Sequence, residues 1–127
     1  MSYKHSVGVL YHSPEGNIAN TTEDFLGDEN EGIDTTVPPT TVDQVEELSI
    51  DVSTIVCCCL YSAVALTVKT YAAGVLKQTI NLRAGKQIVW DENSPFANPF
   101  TDDFDHMKLS NADLTKATNF KARFLLN

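Results

Sequence analysis

Two-residue alternation of apolar and polar side chains runs through most of this chain and predicts strands. Val7, Val9 and Tyr11 alternate with Ser6, Gly8, Leu10 and His12, and Ser13-Pro14-Glu15-Gly16-Asn17 then reads as a turn. The Thr-rich stretch Asn17 to Phe25 pairs back as a hairpin, Gly27 to Gly32 reads as a polar loop, and Ile33 to Val37 is extended up to Pro38-Pro39. Such prolines suit a sheet edge or a crossover. Leu48, Ile50 and Val52 mark a half-buried strand. Thr54 to Tyr61 is continuously β-prone, as expected of a strand buried on both faces.

Val64, Leu66 and Val68 alternate next, residues 71–75 turn the chain, and Thr79 to Leu82 lead into the tight turn Arg83-Ala84-Gly85-Lys86. Gln87 to Trp90 is a further short strand. Asp91 to Asp105 is irregular, and its Phe96, Phe100 and Phe104, four residues apart, are expected to plug one end of a core. Met107 and Leu109 share a face, Asn111-Ala112-Asp113 turns, and Phe120, Ala122 and Phe124 form the inner face of a last strand. No segment sustains the i, i+3, i+4 period of a helix. Eight to ten antiparallel strands therefore make a sandwich or barrel, because parallel crossovers need intervening helices. The core predicted from these positions is Val7, Val9, Leu48, Ile50, Ile55, Cys58, Leu66, Val68, Ile80, Leu82, Ile88, Trp90, Leu109, Phe120 and Phe124.

The 127 residues form one domain, long enough to bury a core without disulfides or metals, with residues 12–45 read as loop-rich or arm-like. No run of eighteen apolar residues suggests a membrane span, and residues 1–7 lack a signal-peptide core, so folding in a reducing cytoplasm is expected. The cysteines are adjacent, Cys57-Cys58-Cys59. Adjacent strand positions point to opposite faces, so they make poor disulfide partners and are read as small buried hydrophobes on a central strand.

Charge changes the picture more than composition does. The net charge is −8, yet between His5 and Val68 there is no Lys or Arg. With Lys4, residues 1–68 carry one base against eleven acids, and residues 69–127 carry eight bases against six acids. This distribution argues against a nucleic-acid partner, because phosphate contacts need clustered Lys and Arg. The acidic residues Glu23, Asp24, Asp28, Glu29, Glu31 and Asp34 are the candidate docking segment for a basic protein surface, or for the basic half of a neighbouring copy.

Candidate chemistry is sparse. His5, His12 and His106 lie on different predicted strands, at positions expected to be exposed, without the spacing of metal ligands. No G-x-S-x-G elbow or phosphate loop occurs. Asp28, Asn30 and Gly32 fall short of a calcium loop because Gly is one position early. A tertiary calcium site from Asp102, Asp103 and Asp105, and a sugar platform from Trp90, Tyr71 and Phe96, are the weaker alternatives. No catalytic residue, metal or cofactor is expected.

The runs Ala65-Leu66-Thr67-Val68-Lys69-Thr70-Tyr71, Gln78 to Lys86 and Ile88-Val89-Trp90, with Leu109-Ser110-Asn111 and the closing Phe124-Leu125-Leu126, resemble a group of small virion proteins of tailed bacteriophages. The resemblance covers roughly residues 30–127 well and 1–29 loosely. The chain departs from the group at Tyr71, where Asn is frequent, and in its Cys triplet. The resemblance implies an all-β antiparallel sandwich with jelly-roll-like connections and a partly extended acidic N-terminal arm or loop. It implies a structural role in the virion, assembled in the host cytoplasm, without settling which part of the particle; the first expectation is a capsid decoration (cement) protein. That protein binds major capsid subunits and itself, a trimer being favoured, with no nucleic-acid or membrane partner. A head–tail connector, tail-tube or fibre component and a carbohydrate-binding sandwich are the alternatives.

Overall fold

The computed structural model describes residues 3–12 and 18–127, with side chains for 3–8 and 22–127. Among these residues are ten strands: β1 (Tyr3–His12), β2 (Ile18–Gly27), β3 (Glu29–Val37), β4 (Thr41–Ile50), β5 (Ile55–Tyr61), β6 (Leu66–Ala72), β7 (Val75–Leu82), β8 (Ile88–Asp91), β9 (Phe104–Asn111) and β10 (Thr118–Leu126). The only helical element among them is the 3-10 turn Val52–Thr54, where the Asp51 carboxylate accepts from the Ser53 amide.

Two four-stranded antiparallel sheets face each other, one ordered β3-β10-β5-β8 and the other β4-β9-β6-β7. Their eight strands, β3 to β10, pass back and forth between the sheets, apart from the hairpin β6–β7, in the connectivity of a jelly roll. The fold is an all-β antiparallel sandwich, and the predicted alternation explains it. Leu66, Val68, Ile80, Leu82, Leu109, Phe120 and Phe124 all point into the space between the sheets and are buried.

Four details of the sequence reading change. The stretch 12–45, read as loop-rich, is mostly strand in its described part, through β2, β3 and β4. The supposed polar loop 27–32 continues into β3 because Glu29 to Thr35 pair residue by residue with Leu126 to Phe120. A strand at a sheet edge keeps one side wet, so it needs few apolar residues and its composition mimics a loop. Phe100 and Phe104 plug the core against Phe124, with ring centroids 5.3–6.2 Å apart, but Phe96 is 78% exposed and takes no part. Val7, Ile88 and Trp90 are only partly buried, and Val9 lies outside the described side chains.

The hairpin β1–β2 forms a sheet of its own. It crosses the outer face of the β3-β10-β5-β8 sheet. At one side the Asp28 amide donates to the Leu126 carbonyl at 2.8 Å. At the other, Glu23 accepts from Asn93, just beyond β8, at 2.7 Å. Between them Phe25 is buried against Val56, Cys57 and Leu125, a small second core. Gly27 is required where β2 meets β10, since a Cβ there would stand 2.6 Å from the Leu126 carbonyl oxygen.

Candidate functional site

The predicted docking residues do not converge on one pocket. Glu23 and Asp24 sit exposed on β2. Asp24 accepts from the Ser6 hydroxyl at 2.6 Å and has Lys4 Nζ at 3.9 Å. Asp28 lies at the β2–β3 junction. Glu29, Glu31 and Asp34 follow along β3, an outer strand of its sheet. Asp34 is partly neutralised, with Asn119 Nδ2 at 2.9 Å and Arg123 at 3.6 Å. β4 stands next to β3 across the sandwich and adds Asp43, Glu46 and Glu47. The acids of β3 and β4 therefore form one flank of the molecule, whereas Glu23 lies towards β8, at the opposite edge of the sheet.

Where β1 crosses the sheet, a cleft of about 420 Å³ opens between the hairpin and β5, β8 and β10. Its lining includes His5, Val7, Cys57, Cys59, Val89 and Arg123. His5 is half-buried here, not exposed as its position in the chain suggested. Its Nδ1 lies 3.7 Å from Cys57 Sγ and its Nε2 lies 2.8 Å from Asn30 Oδ1. An amide oxygen only accepts, so Nε2 carries the ring proton and Nδ1 is left to accept from the thiol. The ring thus ties β1 to β3 and to β5 at once.

A Cys–His–Asn grouping raises the question of nucleophilic chemistry, which requires a thiolate. The surroundings oppose one. Burial, reinforced by the Asp91 carboxylate, pushes the Cys57 thiol up to about 11. Burial likewise pushes Cys58, which faces the core, up to about 12. Cys59 is half-buried and also raised by burial, with Arg123 acting in the opposite direction. What the arrangement supplies is a neutral hydrogen bond that fastens the hairpin. Sequence reasoning missed it because the partners are 52 residues apart, and no local pattern encodes the contact.

The remaining candidates are dispersed. Asp102 accepts from Thr101 Oγ1, Asp103 from the Val52 amide and Asp105 from the Ala73 amide, so the three carboxylates serve three different turns. The Ala73 amide, with His106 beside it, holds the Asp105 carboxyl below its ordinary value. His106 is half-buried and stacks on Tyr71 at 5.1 Å, with Lys108 Nζ over that ring at 4.4 Å. His12 shares β1 with His5, not a strand of its own as the sequence suggested, and its side chain lies outside the described ones. Among the described residues no group of three or more His, Cys, Asp or Glu side chains is placed to hold a metal ion, and no helix is long and apolar enough to cross a membrane.

No family model and no curated protein matches the chain. Two solved structures are similar to it. One comes from work on Bacillus endospore appendages, described as a novel family of disulfide-linked pili; it shares 11% identity, 78% of this chain and 88% of that one are covered, and the TM-score is 0.39. The other is a protein described as of unknown function (DUF1255) from Acinetobacter sp. ADP1, at 12% identity, 100% and 97% coverage and a TM-score of 0.37. Likenesses at this level carry no argument about what this chain does.

Proposed function

We propose that this chain is a structural subunit of a bacteriophage particle, a capsid decoration protein that binds major capsid subunits through its acidic flank. The observation that supports the reading is the exposed pair Glu29 and Glu31 on β3, an outer strand that carries no Lys or Arg. Such a single-sign face steers association towards a basic surface and disfavours unlike partners. Each contact buries little, and repetition over a shell multiplies it.

The test adds purified protein to expanded capsids that lack it and measures their melting temperature, with Glu29→Lys/Glu31→Lys beside the native chain. The native protein should bind and raise the melting temperature, and the reversed variant should bind weakly. Absence of the protein from purified particles, or equal binding by the variant, would refute the reading. A carbohydrate-binding role draws less support, because Trp90 packs on the core and spends its indole N–H on the Phe96 carbonyl at 2.9 Å.

A further inference from the structure

The sheet β4-β9-β6-β7 ends in two outer strands, β4 and β7, with no neighbour beyond either among the described residues. All three pairings within it are antiparallel, so β4 and β7 run in opposite directions. A second copy displaced sideways therefore brings its β7 alongside β4 in antiparallel orientation, the arrangement the sheet already uses.

The two edges differ in a way that matches. β4 carries Glu46 and Glu47 and no base, its Asp43 being paired with Lys69 at 3.7 Å within the chain. β7 carries Lys77 and leads into Arg83 and Lys86, with no acid. Rows across the sheet set the heights. Glu46, Met107, Thr70 and Gln78 form one row, and Glu47, His106, Tyr71 and Leu76 form the next. Lys77 stands between the ends of these two rows, at the level of both glutamates. Each edge also exposes two large apolar side chains: Val42 and Val45 at 80% and 50% on β4, Val75 and Leu76 at 56% and 48% on β7. Unpaired edges of this kind are normally blunted by charge. Here the charges on the two edges have opposite signs, so each blocks pairing with its own kind and favours the other.

We infer that copies of this chain join edge to edge, β4 of one to β7 of the next, extending the sheet from molecule to molecule. The contact is heterologous, so it closes into a ring or continues as a filament. Register shifts on either side of Gln44–Glu47 leave those four residues as the regular part of β4. The paired stretch is short, which keeps a single contact weak and makes assembly depend on concentration. The inference stands apart from the virion reading, since it concerns this chain alone.

Sedimentation velocity on the purified chain at low salt should show concentration-dependent association that weakens on adding salt. Glu46→Lys/Glu47→Lys and Lys77→Glu/Arg83→Glu/Lys86→Glu should each weaken self-association about tenfold or more. Mixing the two variants should restore it, because each then offers the edge the other lacks. Hydrogen exchange on the native chain gives a check independent of variant folding: amides of β4 and β7 should gain protection with concentration, while those of β3 and β8 do not. A native chain that stays monomeric, variants that associate like the native chain, or protection gained at β3 and β8 instead would overturn the inference.

Discussion

Cys57 Sγ and His5 Nδ1 lie 3.7 Å apart, one of several contacts that join the hairpin to the sandwich, and it is made through a thiol that stays protonated. An unfolded chain releases its thiol protons near pH 9, whereas the folded chain holds those of Cys57 and Cys58 to about 11 and 12. Over that window the unfolded state binds fewer protons, so stability falls as pH rises, by at most about 1.4 kcal/mol per pH unit for each thiol. Denaturant unfolding of the native chain and of Cys57→Ala/Cys58→Ala across this range should show a flatter dependence in the variant. Equal slopes would mean that burial does not hold these protons.

The same geometry predicts the order of thiol modification. Cys59 is half-buried at the cleft wall, while Cys57 and Cys58 are buried. Iodoacetamide at neutral pH should label Cys59 first and all three only in denaturant. Mass spectrometry of partly labelled protein locates the modified thiol, and label on Cys57 while Cys59 is still free would contradict the order.

Phe25 is the apolar anchor of the hairpin, and Phe25→Ala should cost about 3 kcal/mol. Gly27→Val should act at the same junction by forcing a side chain into the Leu126 carbonyl. Both should leave the near-ultraviolet signal of Trp90 in place and speed proteolytic cleavage within residues 1–27. Cleavage at the native rate would mean the hairpin is held by something other than this cluster.

Asn111 is fully buried and binds two connections at one end of the sandwich. Its Nδ2 donates to the carbonyls of Val37, Pro38 and Lys116 at 2.9–3.2 Å, and its Oδ1 accepts from the Asp113 amide. Asn111→Ala leaves those buried groups without partners and should cost roughly 3 kcal/mol. Asn111→Asp should be worse at pH 7, because a carboxylate then faces three carbonyl oxygens. A carboxyl raised in the folded state stabilises below its unfolded pKa, so the Asp variant should recover on acidification. Thermal melts of both variants at pH 4 and pH 7 check the order.

The sandwich was legible because burial on one face imposes a period of two, which β6, β9 and β10 keep without interruption in Leu66-Val68, Met107-Leu109 and Phe120-Ala122-Phe124. β5 was legible for the complementary reason. It is covered by the opposite sheet on one side and by the hairpin on the other, so Ile55 to Cys58 are all buried. The first half of the outer strand β3 was not, since ENEG faces water and its pairing is decided by β10, some ninety residues away. The run of acids was visible as a gap in Lys and Arg, but its division between the hairpin and two sheet edges depends on topology. The His5–Cys57–Asn30 contacts were invisible for the same reason.

The order β3-β10-β5-β8 also decides when this molecule can fold. Of the strand pairings among the described residues only β1–β2 and β6–β7 join neighbours in the chain; β3 must wait for β10, β4 for β9, and β5 for β8 and then β10. A nascent chain emerging from the ribosome therefore has two hairpins to offer and no sandwich until its closing strands are free. Contacts of such long sequence separation slow folding. During that wait the apolar run Ile55–Leu60 is uncovered, the interval in which a chaperone, or a wrong partner, would find it.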